Sequence, residues 1–181
     1  MNEPAQSSPG LPILRTGWAS GLARISMGVL LLEAVSGLAI TFAPFHPAVQ
    51  WSVVVHTVVG ALTLLPLAWY CWQHWLDYRD HAPSHIVALG YTGLAALAVC
   101  SLSGVALTWQ GLFGLRISGW LRQTHLISTF VTLGALLPHV VFSFVRVWRN
   151  GTAAAVSGFA LRALGATALG ALVVGGLAFA Y

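Results

Sequence analysis

The sequence predicts an all-α integral membrane bundle of five transmembrane helices, and three observations predict it. The 181-residue chain is 57% hydrophobic and 7% charged, with a mean hydropathy of +0.81, whereas a soluble domain carries roughly 25% charged residues. Apolar stretches of membrane-crossing length recur between clusters of turn-forming residues, and about twenty such residues span the hydrocarbon core. Tryptophan marks the margins: Trp18, Trp51, Trp72, Trp75, Trp109, Trp120 and Trp148 fall near expected span ends, as an interfacial belt requires, and Trp69 lies deeper.

Residues 1–21 are polar and contain Pro and Gly without an apolar core or cleavage signal, which reads as a short cytoplasmic tail. Span 1 is expected over 22–42 and span 2 over 51–72, separated by Ala43-Pro44-Phe45-His46-Pro47. Span 3 is expected over 86–109, after Asp80-His81-Ala82-Pro83-Ser84, and span 4 over 121–147. Span 5, over 158–179, follows Arg149-Asn150-Gly151. It is Gly/Ala-rich, with Ala166-x-x-x-Gly170 and Ala171-x-x-x-Gly175, so 148–181 is read as a packing or partner-contact helix beside a core at 22–147.

The chain has eight arginines, no lysine, and the acids Glu3, Glu33, Asp77 and Asp80, for a net charge of +4. In such a chain this balance reports orientation rather than nucleic-acid binding. Arg15, Arg24, Arg79, Arg146, Arg149 and Arg162 share the side of the N-terminus, and Arg116 and Arg122 lie opposite, which places the N-terminus in the cytoplasm and the C-terminus outside. Cys71 and Cys100 form no C-x-x-C pair, so no zinc knuckle or covalent haem attachment is expected.

A weak repeat runs through the chain. Ser36-Gly37-Leu38-Ala39-Ile40-Thr41-Phe42 closes span 1 and Ser103-Gly104-Val105-Ala106-Leu107-Thr108-Trp109 closes span 3. Gly60-Ala61-Leu62 with Leu64-Leu65-Pro66 in span 2 echoes Gly134-Ala135-Leu136-Leu137-Pro138 in span 4. Two hairpins of one sense make spans 2 and 4 parallel. The prolines are expected to kink them.

The chemistry sits in the histidines. His125 and His139 are fourteen residues apart, close to four turns, so both project from one face. His56 and His74 are eighteen apart, five turns. The stripes read His56, Gly60, Thr63, Leu67, Tyr70, His74 and His125, Ser128, Thr132, Leu136, His139. Gly60, Thr63 and Thr132 leave room for a macrocycle and offer hydrogen bonds. A lone intramembrane histidine is readily satisfied by a neighbouring helix, but ionisable groups at depth are rare and usually functional. Four on two parallel helices point to axial ligation of two haems b, His56 with His125 and His74 with His139. The rise is ~21 Å from His125 to His139 and ~27 Å from His56 to His74; His85 is therefore held in reserve for His74. His46 and His81 fall in loops.

On these four histidines, the fourteen-residue spacing and the helix count, the stretch 22–147 resembles the membrane-bound di-haem cytochrome b proteins, quinone-linked subunits of respiratory complexes. Span 1 has no histidine, where several subfamilies place one. The resemblance implies electron relay between the quinone pool and a partner redox protein, with a periplasmic multihaem or iron–sulfur subunit as the expected partner. It also implies a bacterial inner membrane location. Candidate quinone contacts are Gln110, Arg116 and Ser118 in the loop between spans 3 and 4, a segment that also suits an amphipathic interfacial role, or the group Asp77, Arg79, Asp80, His81 and His85.

Glu33 stands alone within span 1, where a carboxylate costs about 3 kcal/mol on insertion scales and marks a functional site; a proton-carrying role or a hydrogen bond to a haem or helix is expected. Arg122 is placed to pair a haem propionate at one end, and Arg79 or Arg146 at the other. Two other readings stay open: a stand-alone superoxide:quinone or ferric reductase, and a haem-free transporter or scaffold whose histidines carry protons or metal.

Overall fold

A computed structural model describes residues 17, 18, 20–43, 46–114 and 116–149, with 161, 165, 168 and 172. Among the described residues it has four helices and no strand: α1 Gly21–Phe42, α2 Pro47–Tyr78, α3 His85–Phe113 and α4 Gly119–Arg149. All four are long and apolar enough to cross a membrane. The expected fifth span lies outside the described residues, apart from the helical positions Leu161, Gly165, Ala168 and Leu172.

The helices start where caps begin them. Ser20 Oγ accepts the Ala23 amide at 3.4 Å and Ser84 Oγ accepts the Val87 amide at 3.3 Å. His46 Nδ1 accepts from Ala48 N at 3.2 Å, with Pro47 as the first residue of α2, where its missing N–H is harmless. Helix α2 therefore runs over Pro47–Tyr78 rather than 51–72, and α3 and α4 overrun their expected spans in the same way. Hydropathy marks where lipid ends, whereas caps mark where helices end. At 29 to 32 residues each, these helices outreach the ~20 that hydrocarbon requires.

The packing is by hairpins. Helix α1 lies on α2 and α3 lies on α4, while the hairpins meet sparingly, along α2 and α3. Gly93 sets the approach within the second hairpin: a Cβ there would sit 2.7 Å from Leu136 Cγ. The interior is small and hydroxylated: Ser26, Ser36, Ser52, Ser103, Ser128 and Thr132 are buried beside Ala23 and Ala135, while Leu62, Leu65, Leu102 and Ile127 point outward. With lipid as solvent, burying large apolar groups gains little, and close approach of small residues holds helices together. Their hydroxyls bond back along the helix, Ser36 Oγ donating to Leu32 O and Ser103 Oγ to Val99 O, both at 2.8 Å.

Candidate functional site

Four histidines on α2 and α4 meet in two pairs. The rings of His56 and His125 stand 6.2 Å apart between centroids with their planes at 78°, and those of His74 and His139 stand 6.2 Å apart at 84°. Because His56 meets His125 and His74 meets His139, α2 and α4 run in the same sense. The two rises differ by ~6 Å in straight helices, so α2 and α4 must tilt or bend relative to each other. Each contains a proline, Pro66 and Pro138, that removes one backbone hydrogen bond. His85 is exposed at the start of α3, while His139 faces His74.

Each ring is held from behind. His125 Nδ1 lies 2.9 Å from Cys100 O and His139 Nδ1 lies 2.8 Å from Ile86 O. A carbonyl oxygen can only accept, so both rings carry their proton on Nδ1 and keep the Nε2 lone pair for a ligand. His56 Nδ1 lies 2.9 Å from Glu33 Oε2 and 3.0 Å from Ser36 Oγ. Since the Ser36 hydroxyl donates to Leu32 O, the Glu33 carboxyl is the principal partner of this nitrogen. His74 packs between Tyr70, at 5.5 Å, and Tyr78, at 4.7 Å.

Glycine makes the seats. A Cβ on Gly37 would sit 3.2 Å from His56 Cε1, one on Gly104 3.1 Å from His125 Cε1, and one on Gly90 3.0 Å from His139 Cε1. The repeat thus has a structural meaning: Ser36-Gly37 of α1 backs His56 as Ser103-Gly104 of α3 backs His125, with Ser103 Oγ 3.3 Å from His125 Nδ1. Ser36 to Ser103 is 67 positions and His56 to His125 is 69. Thr63 and Thr132, and Leu67 and Leu136, keep the 69-residue register. The Gly-Ala-Leu…Pro echo does not, since Pro66 to Pro138 is 72. The second pair breaks the symmetry: the position matching His139 is Tyr70, and His74 lies one turn further on. Tyr70 packs on Ala23, the counterpart of Gly90.

The spacing can be compared with what ligation demands. Imidazoles bound through Nε2 at about 2.0–2.1 Å, with ring centres ~1.1 Å behind the nitrogen, place their centroids about 6.3 Å apart across one metal ion. Both centroid separations are close to that value. Among the described residues no group of three or more His, Cys, Asp or Glu gathers as a metal site, and each pair offers two imidazoles. Such a set suits an ion whose other positions are filled by a planar ligand. Two buried polar atoms nearby, Glu33 Oε1 and Thr132 Oγ1, have no protein partner.

The remaining candidates fall elsewhere. Gln110 Oε1 accepts the Ser118 amide at 2.8 Å, and Ser118 Oγ accepts from Leu121 N at 3.4 Å; both hold the α3–α4 connection together. Arg116 and Arg122 are exposed. Thr63 Oγ1 donates to Val59 O at 2.6 Å. Gly60 abuts the Glu33 carboxylate, its absent Cβ 3.3 Å from Oε2. Arg79 stacks over Trp75 at 5.4 Å and lies 3.5 Å from Asp80. With His81, Ser84 and Tyr91 it borders a cavity of about 260 Å³ formed by the α2–α3 connection and the first turns of α3. Sequence reasoning passed over Ser36, Gly37, Gly90, Cys100, Ser103 and Gly104, although the repeat pointed to four of them. No family model, curated protein or solved structure matches the chain.

Proposed function

We propose that this chain is a di-haem b-type membrane cytochrome, a quinone-linked electron-transfer subunit. One observation carries the reading: two histidine pairs on parallel helices, each with centroids 6.2 Å apart. A lone polar contact has no reason to repeat at that distance, whereas axial ligation demands it twice. Bound haem would supply reversible one-electron chemistry between the two faces of the membrane.

The chain's residues supply the rest. His56, His125, His74 and His139 would hold the two haems through imidazole nitrogen, and Glu33, Cys100 O and Ile86 O fix the orientation of three rings. Gly37, Gly90 and Gly104 let the backbone of α1 and α3 approach the rings. The arginine distribution supports a bacterial inner membrane orientation with the N-terminus in the cytoplasm. Electrons then pass between quinone in the bilayer and a surface redox partner, multihaem or iron–sulfur.

The test is a dithionite-reduced minus oxidised spectrum of the purified protein with haem quantified by pyridine haemochrome. Two haems b per chain, reduced by a quinol analogue, is the expected result. A well-folded, haem-supplied preparation with no haem overturns the reading and leaves the histidines as a proton or metal path.

A further inference from the structure

The cavity at the α2–α3 connection lies outside the histidine site and has a chemistry of its own. Arg79, His81 and Ser84 stand at its mouth, and Val87, Ala88 and Tyr91 continue it along α3. Over these turns α3 presents two opposite faces. Gly90 and Gly93 meet α4, through His139 and Leu136, whereas Ser84, Ala88 and Tyr91 share the other face and are exposed. The cavity therefore opens toward lipid rather than toward the interior of the bundle. From Ser84 to Tyr91 the helix descends about 10 Å into the apolar stretch, and Trp72 and Trp75 mark the boundary on α2. The lining is graded to match, cationic and polar at the connection and apolar at Val87 and Ala88. Its polar groups are held in place: the Arg79 guanidinium stacks over Trp75 at 5.4 Å, and the His81 ring lies 5.1 Å from Tyr78. Asp80 approaches Arg79 Nε to 3.5 Å, but its side chain is 87% exposed, and such a pair is weak.

We propose that this cavity seats an anionic phospholipid, with its phosphate on Arg79 and an acyl chain along Val87, Ala88 and Tyr91. The proposal stands on the membrane-spanning helices and is independent of the haem reading. A planar guanidinium pairs with phosphate through two parallel hydrogen bonds, and basic pockets between helices at the ends of spans take phospholipid headgroups. Ser84 Oγ accepts the Val87 amide, which leaves its hydroxyl proton for a headgroup oxygen. Inorganic phosphate would use the mouth and leave the apolar floor empty; an amphipathic anion uses both. At about 260 Å³ the cavity falls just below the ~300–1,000 Å³ of sites that enclose a whole small molecule. That size suits a headgroup whose chains continue outside into the bilayer.

The test is native mass spectrometry of the full chain in detergent, titrated with short-chain phosphatidylglycerol or phosphatidylcholine. Phosphatidylglycerol is expected to bind in preference to phosphatidylcholine. Arg79→Gln should weaken it at least about fivefold, the worth of one arginine at an anionic lipid surface. Ala88→Trp, which keeps Arg79 and fills the apolar floor, should weaken it as well. Arg149→Gln removes a charge from the same end of the molecule without touching the cavity, and should leave binding unchanged. Equal binding of the two lipids, or equal losses for Arg79→Gln and Arg149→Gln, overturns the proposal, since charge alone would then account for the contact. Full displacement by inorganic phosphate overturns it in favour of an ion site, and retention of a short-chain quinone in preference to phosphatidylglycerol in favour of a carrier's seat. If Arg79→Gln loses its helical circular dichroism, Ala88→Trp decides: weakened binding supports the lipid seat and unchanged binding excludes it.

Discussion

A histidine whose Nδ1 is committed to a carbonyl has one nitrogen left to offer, and Cys100 O and Ile86 O impose that choice on His125 and His139. Replacing any one of the four histidines by alanine should remove about half of the haem, and His85→Ala, exposed at the start of α3, should remove none; pyridine haemochrome assays decide. The glycine seats are as exacting. Gly90→Val places a branched side chain where even a Cβ lies 3.0 Å from His139 Cε1, an overpacking worth about 1–3 kcal/mol. The expected outcome is loss of haem from the His74–His139 centre, read as a fall in haem per chain. At this scale the sequence exposed the four paired histidines, because histidine in an apolar stretch is conspicuous. It hid their supports. Backbone carbonyls have no letter of their own, and Ser36, Gly37, Ser103 and Gly104 resemble ordinary small residues of a membrane helix until a ring is seen against them. Gln110 and Ser118 have a role that their letters did not announce, bracing the α3–α4 connection by hydrogen bonds.

At the scale of the element, helix positions were legible and helix ends were not. Apolar length located α1 through α4, but His46, Pro47, Ser84 and the polar continuation through Gln73, His74 and Asp77 carry α2 and α3 beyond the lipid-facing stretch. The ~6 Å difference in rise between the two histidine ladders was visible in the spacing, and its resolution was not, because tilt and bend come from packing between helices. Pro66 is the natural place for that adjustment in α2. Pro66→Ala restores the hydrogen bond to Leu62 O and straightens the helix. The His74–His139 centre should then show a changed absorption band or lowered occupancy while the His56–His125 centre keeps its spectrum. Equal effects on both centres would place the adjustment elsewhere.

At the scale of the molecule, the two-hairpin plan was legible from Ser-Gly repeated in α1 and α3 and from the shared register of Thr63 and Thr132. The fifth span rests on sequence alone. Its presence and the arginine distribution predict opposite sides for the termini, and reporter fusions check this: a C-terminal alkaline phosphatase should be active and an N-terminal fluorescent protein should glow. An inactive C-terminal phosphatase would reduce the crossing segments to four.

The scarcity of large apolar side chains in the interior bears on how the chain is made. Among the described residues only Ala23, Val49 and Ala135 are buried hydrophobics, and α1–α2 and α3–α4 share little surface. Each hairpin can therefore insert as it leaves the ribosome, and on the proposed di-haem reading the cofactors would join the two. A cell starved of iron or porphyrin would then hold the two halves as loosely tethered neighbours, open to membrane proteases. Severing the polypeptide between Asp80 and Ser84 should matter little if both fragments are co-expressed: they should co-purify when porphyrin synthesis is supplied and separate when it is blocked. Abundance of this protein would then follow prosthetic-group supply more closely than transcript level.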